Sequence, residues 1–263
     1  MKRVLALFGT LALLAAAPMP AMAGMLDDIR SRGEVRLGVS LGGEPIGFRD
    51  DQNNPVGYDV DVATRLAKAL GVKPVFTDVS GDARISMLVS GQLDIVVANT
   101  TATLERAKSI DFSIPYNRAG LRVIVWKDAG IKTLADLAGK KVVVGRGTTG
   151  ATFMTEAVPT AELVYVDNFS PNGVLQLEQK RVDAAIEDSS LVDYLATKND
   201  KLVTLEGLFS NEPISLGVAK GDPEFVRWLD LFVSEYIDSG AYEANYKKWW
   251  GESANPPKLN SLW

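Results

Sequence analysis

The sequence predicts an α/β protein built from largely parallel sheets, and three observations carry that expectation. Short runs rich in Val, Ile and Leu alternate with stretches of helical periodicity through most of the chain. The alternation runs to about Tyr116 and then restarts, so two successive blocks could each bury a core. The length of 263 residues, 46% of them apolar, suffices for one large or two medium globular units.

Residues 1–23 read differently from the rest. Lys2 and Arg3 give a positive start, residues 4–17 are apolar, and Ala21-Met22-Ala23 is a small-x-small cleavage pattern. This predicts an export signal cleaved after Ala23. The apolar run is shorter than the roughly 20 residues needed to span a bilayer, and Pro18 and Pro20 end it. The predicted location is therefore the periplasm.

The first block begins with a strand over 35–40. A helix over 58–70 follows, with Val62, Ala63, Leu66, Ala67 and Leu70 on one side and Gly71 past its end. A strand over 74–79, a helix over 82–90 closed by Gly91, and a strand over 93–98 complete it. In the second block, strands over 121–126, 141–145, 163–167, 182–187 and 202–205 alternate with helices over 151–158, 172–180 and 190–198. A short helix over 133–137 has Thr133 and Asp136 at capping-box spacing. Residues 213–219 are again strand-like, and helices over 223–237 and 241–250 precede an extended tail. Phe225, Trp228, Leu229, Phe232 and Tyr236 recur at helical spacing and read as core packing. No Gly/Ser linker separates the blocks, so short ordered crossings are expected.

What the chain lacks narrows the chemistry. With no Cys and no His there is no disulfide, thiol nucleophile, Cys/His zinc site or Ser-His-Asp triad, and no cofactor is expected. The net charge of −5 becomes more negative once Lys2 and Arg3 leave with the signal. No basic stripe is visible, so nucleic acid is not the expected partner.

Three segments could bind a ligand. Residues 98–106 leave a strand through Asn99, Thr100 and Thr101 and enter a short helix, where Arg106 could grip a carboxylate in bidentate fashion or serve as a surface residue beside a helix cap. Gly145-Arg146-Gly147-Thr148-Thr149-Gly150 repeats the arrangement. It lacks the Lys of a phosphate-binding Walker loop and the final Gly of a dinucleotide fingerprint, so a small anion fits it better than a nucleotide. Asp188, at a strand end, could neutralise an ammonium group or cap the following helix. An anion site and a cation partner in separate blocks describe a receptor for a zwitterion.

Six stretches, taken together and in order, resemble the periplasmic solute-binding proteins of amino-acid ABC importers, family 3. They are Gly57-Tyr58-Asp59-Val60-Asp61, Ser90-Gly91-Gln92-Leu93-Asp94, Thr103-Leu104-Glu105-Arg106-Ala107, Asp111-Phe112-Ser113-Ile114-Pro115-Tyr116, Gly147-Thr148-Thr149-Gly150 and Arg181-Val182-Asp183-Ala184-Ala185. The resemblance implies a two-lobed type II binding-protein fold, each lobe a mainly parallel sheet flanked by helices. It places lobe 1 at 24–118 plus 215–263, lobe 2 at 119–214, and hinge crossings near 117–120 and 211–215. It further implies a monomer that closes on a free amino acid and delivers it to an inner-membrane permease.

By the same resemblance, Thr101 and Arg106 hold the ligand α-carboxylate with amides of Thr148, Thr149 and Gly150, while Asp188 and a backbone carbonyl near Asn99 hold the α-ammonium. Phe48 joins the ligand-binding set. Arg84 matches an arginine of the glutamate/aspartate-binding branch. The aromatic pair of the basic-amino-acid branch is replaced by Pro45 and Gly81, and Ser40 replaces a second arginine of the acidic branch. The implied ligand is a polar amino acid, acidic ones included. Two alternatives stand beside the transport receptor. One is a sensory ligand module. The other is an exported cyclohexadienyl or arogenate dehydratase, for which Glu187 or Glu44 would have to be a general acid in the cleft. Strand alternation turns Glu187 away from the side Asp188 faces.

Overall fold

The computed structural model describes residues 24–262; the predicted export signal and its cleavage site lie outside them. Helix α1 (Met25–Arg32) ends at Gly33, whose φ of 73° supplies the left-handed cap that a side chain would resist. Strand β1 (Glu34–Val39) follows, then a small hairpin of β2 (Phe48–Arg49) and β3 (Pro55–Val56). Helix α2 (Tyr58–Leu70) buries the predicted apolar face and stops at Gly71. Strand β4 (Lys73–Asp78), helix α3 (Ala83–Val89), strand β5 (Ile95–Val96) and the ten-residue strand β6 (Ile110–Ala119) bring the chain to the first crossing.

The second lobe holds β7 (Leu121–Trp126), β8 (Lys141–Gly145), α4 (Thr149–Ala157), β9 (Glu162–Val166), α5 (Val174–Glu178), β10 (Ala184–Asp188), α6 (Ser189–Lys198) and β11 (Leu202–Thr204). The Thr133/Asp136 capping box is present, with the Thr133 N–H donating to Asp136 at 2.8 Å. The chain then returns through β12 (Glu212–Ala219), α7 (Pro223–Asp238) and α8 (Ala241–Trp250).

Among the described residues, the sheets run β4-β1-β5-β12-β6 and β11-β7-β10-β8-β9. Parallel pairing holds on one half of each: β4, β1 and β5 in the first, β10, β8 and β9 in the second. The other half is antiparallel, because the crossing strands run back on themselves. β12 opposes β5 and β6, and β7 opposes β10 and β11. Each sheet is thus mixed rather than mainly parallel.

Each lobe has its own core. Val35, Leu37, Leu66, Phe225 and Tyr236 lie in one, and Val123, Val142, Met154 and Ile186 in another. Sequence periodicity missed α1 and β6. The first abuts the export signal, and the second carries Pro115 within a motif that has no clean two-residue alternation. The helix expected over 172–180 is shortened to α5 by an irregular turn at Phe169–Gly173. Among the described residues, no helix is long and apolar enough to cross a membrane.

Candidate functional site

The chain passes between lobes where β6 leads through Gly120 into β7 and where residues 205–211 lead into β12. The two passages are close enough that a Cβ on Gly120 would stand 2.3 Å from the Ser210 carbonyl oxygen. Between the lobes lies a cavity lined by residues of both, with about 80 Å³ open to the centres of water molecules. That is well above the ~10–15 Å³ that a single water requires, so the cavity admits a small solute.

The lobe 1 wall is the loop after β5. The Asn99 N–H donates to Asp59 at 2.7 Å, and Asp59 also receives the Tyr116 hydroxyl at 2.8 Å. Burial nonetheless raises Asp59 to about 7. Anchored there, Asn99 adopts φ 45°, a conformation asparagine tolerates better than most residues. Its side-chain amide donates across the cleft to Asp188 at 2.5 Å. Arg84, 7% exposed, donates from Nη1 to the Ala98 carbonyl at 2.7 Å and leaves Nε without a partner.

The lobe 2 wall is formed by the ends of β8 and β10. Thr148 caps α4, accepting the Ala151 N–H at 3.3 Å, so the first turn of that helix begins at the cavity. Asp188 holds the cap position of α6 but makes no side-chain cap bond. Its Oδ2 accepts from Asn99 and its Oδ1 has no partner, although the residue is only 5% exposed. Buried carboxylate oxygens are nearly always satisfied, so an unmet one beside a cavity marks a place for a donor.

Glu187 corrects the expectation from strand alternation, for it lines the same cavity as Asp188. The ladder with β7 still pairs Glu187 with Arg122 and Asp188 with Leu121, so the two side chains leave opposite faces of the strand, and the cavity reaches around the strand end to both. Both carboxyls are held above the ordinary carboxylate range. Burial is the first cause in each; Asp188 next raises Glu187, and Glu212 next raises Asp188. Together the pair keeps a proton near neutral pH.

Of the residues expected at the site, Asn99, Thr101, Arg84, Thr148, Thr149 and Asp188 line the cavity. Phe48 does not. It packs edge-on against Trp249, with ring centroids 5.7 Å apart, because the β2–β3 hairpin docks on α8. Gly150 and Arg106 are also absent from the wall. Gly150 lies inside the first turn of α4, where a Cβ would meet the Ile186 carbonyl oxygen at 3.4 Å. Arg106 bridges the lobes, donating to the Thr101 carbonyl at 2.8 Å and the Gly147 carbonyl at 2.9 Å. Burial, with the charge of Arg84 next, lowers it to about 10.

Sequence reasoning missed Glu212. Buried at the start of β12, it accepts the hydroxyls of Thr101 at 2.6 Å, Thr149 at 2.8 Å and Ser210 at 3.0 Å, and so ties both lobes to the hinge. A lone charge opening an otherwise apolar strand was its only sequence signal. Glu44 is exposed and accepts the Tyr194 hydroxyl at 2.6 Å, outside the cavity.

The lobes are closed on each other. Trp250 donates to the Ser190 carbonyl at 2.7 Å. Glycines line the seam: a Cβ on Gly81 would stand 2.7 Å from the Arg146 carbonyl oxygen, and one on Gly42 2.3 Å from that of Ser170.

Comparison with known proteins places these features in context. Residues 35–252 match the sequence profile of the bacterial extracellular solute-binding proteins, family 3. The chain is 30% identical to the L-cystine-binding protein TcyJ of Escherichia coli K12 over 253 residues, covering 94% of this chain and 95% of that one. It is 29% identical to the ABC transporter glutamine-binding protein GlnH of Bacillus subtilis over 226 residues, covering 84% and 82%. Among solved structures it resembles the ancestral amino acid-binding protein AncCDT-1, a precursor of cyclohexadienyl dehydratase, with TM-score 0.80 and 34% identity over 87% of this chain and 100% of that one.

Proposed function

The chain belongs to family 3 of the bacterial extracellular solute-binding proteins, and from that membership we propose that it is a periplasmic receptor that captures a free polar amino acid between its lobes. It then delivers the ligand to the permease of an ABC importer, acting as a monomer. Asp188 and Asn99 take the α-ammonium. Arg106, Thr101 and the first amides of α4, through Thr148, Thr149 and Gly150, take the α-carboxylate. Thr101 and Thr149 give their hydroxyls to Glu212, which leaves their backbone N–H groups to donate to the ligand carboxylate.

The observation that carries this reading is the unpartnered Asp188 Oδ1, buried beside the free end of α4, whose leading loop Arg106 grips at the Gly147 carbonyl. Such a place suits an ammonium group whose own carboxylate lies within reach of a guanidinium. A clamp of this kind selects solutes carrying both charges and disfavours those missing one.

The test is thermal unfolding of protein stripped by unfolding and refolding, screened against the twenty amino acids. A ligand at about 100 times its Kd should stabilise the fold by ~2.7 kcal/mol. No shift with any amino acid, or an undiminished shift in Asp188→Asn, would defeat the reading.

One observation favours a second reading. Glu187 lines the cavity and holds its proton toward neutral pH, as a general acid must. In a dehydratase it would protonate the departing hydroxyl of prephenate, which loses water and carbon dioxide to become phenylpyruvate. Formation of phenylpyruvate from prephenate, absent in Glu187→Gln, would establish that activity.

A further inference from the structure

On the reading that the cleft takes a free amino acid, we infer that its side-chain end is a bipolar subsite, with Arg84 on one wall and Glu187 on the other, fitted to the carboxamide of glutamine or asparagine. Arg84 comes from α3 of lobe 1 and Glu187 from β10 of lobe 2, so closure brings them to one cavity from opposite sides. Among the carboxylates around Arg84, Glu187 is the one whose charge it feels most. The arginine is nine-tenths buried, and its Nε donor meets no acceptor. Among the described residues the Glu187 carboxyl makes no hydrogen bond, and the half-buried residue lines the cavity. The site therefore offers one donor and one acceptor, both unused.

Above the pH at which Glu187 ionises, a carboxylate side chain satisfies Arg84 but meets Glu187 as a like charge. An ammonium or guanidinium side chain satisfies Glu187 and is repelled by Arg84. An apolar side chain leaves both groups desolvated and unpaired. A carboxamide gives its carbonyl oxygen to the arginine and its NH2 to the glutamate. The second head group of cystine also carries both charges, so cystine is the competing ligand that the titration must exclude.

The test is calorimetric titration of the stripped, refolded protein at about pH 8.5, above the about 8 and about 7 to which burial raises Glu187 and Asp188. The ligands are glutamine, asparagine, glutamate, lysine, methionine and cystine. Glutamine or asparagine should bind tightest, with glutamate and lysine each weaker by about tenfold or more. Glu187→Gln should narrow the glutamine-to-glutamate ratio by about tenfold and leave lysine weak, because Arg84 remains. Tightest binding of glutamate, lysine, methionine or cystine would overturn the subsite, as would an unchanged ratio in Glu187→Gln. If that variant does not fold, the ratios of the unsubstituted protein decide. Binding of an amino acid in another order sinks the subsite alone, whereas no binding by any amino acid sinks the receptor reading with it.

Discussion

Asp94 and Asp188 are both buried aspartates near strand ends, 1% and 5% exposed, and their surroundings could hardly differ more. Asp94 lies within lobe 1 and is saturated. Arg36 reaches Oδ1 at 2.6 Å, the Arg36 backbone N–H reaches Oδ2 at 2.8 Å, and Arg32 adds a further ion pair. Asp188 has one donor, which comes from the other lobe, and an oxygen with none. A buried carboxylate paired inside its own lobe is part of the scaffold. One left short of donors at a seam is poised for a donor from outside. Charge and burial alone do not separate the two; the count and origin of the hydrogen-bond donors do.

The largest effect expected from this contrast is on stability. Asp94→Ala removes the acceptor of Arg36, Arg32 and the Arg36 backbone N–H and should cost ~2–3 kcal/mol in chemical denaturation. Asp188→Asn should leave the ligand-free protein as stable as before or more so, because it removes a poorly compensated buried charge. Equal losses in the two variants would erase the distinction. Next, Arg106→Ala should abolish every ligand-induced shift, a loss of ~2.7 kcal/mol at a hundredfold excess over Kd. Normal binding by that variant would contradict the assigned carboxylate site.

A smaller effect tests whether the seam must close. Gly81→Ala places a Cβ against the Arg146 carbonyl oxygen of the other lobe, so it should weaken binding by about tenfold through a clash of ~1–3 kcal/mol while sparing each lobe's own packing. Unchanged affinity would show that the lobes meet elsewhere when the ligand is bound.

A further effect is on pH dependence. Asp188 and Glu187 are faced by Asn99, Arg84, Arg106 and Glu212, and their proton must leave when an ammonium group arrives. Affinity should therefore strengthen from pH 6 to pH 8, by up to about tenfold per unit. The ligand-free fold has the opposite trend. Its raised carboxyls stay protonated while those of the unfolded chain ionise, so stability falls as pH rises from near 4 through about 8 and is flat above. Affinity that weakened with pH would place the ammonium elsewhere.

How far the site could be read in advance differed from residue to residue. Asn99, Thr148, Thr149 and Asp188 stand at strand ends, where local pattern and ligand geometry coincide, and they line the cavity. Phe48 was misplaced because whether an aromatic side chain faces a cleft or a neighbouring helix depends on Trp249, some 200 residues away in the chain. Glu212 escaped notice because a lone glutamate carries no pattern. Its meaning comes from three hydroxyls gathered from three separate segments.

Local order alone determined the alternation of strands and helices, the glycine-terminated helices, the Thr133 cap and the absence of thiol or imidazole chemistry, since each depends on neighbours a few residues apart. Tertiary structure alone decided the antiparallel half of each sheet, the place of Glu187 on the cavity wall, the glycine seam and the opposition of Arg84 to Glu187. These arise where distant segments meet, and the spacing of residues along one chain does not encode which buried charge will face which.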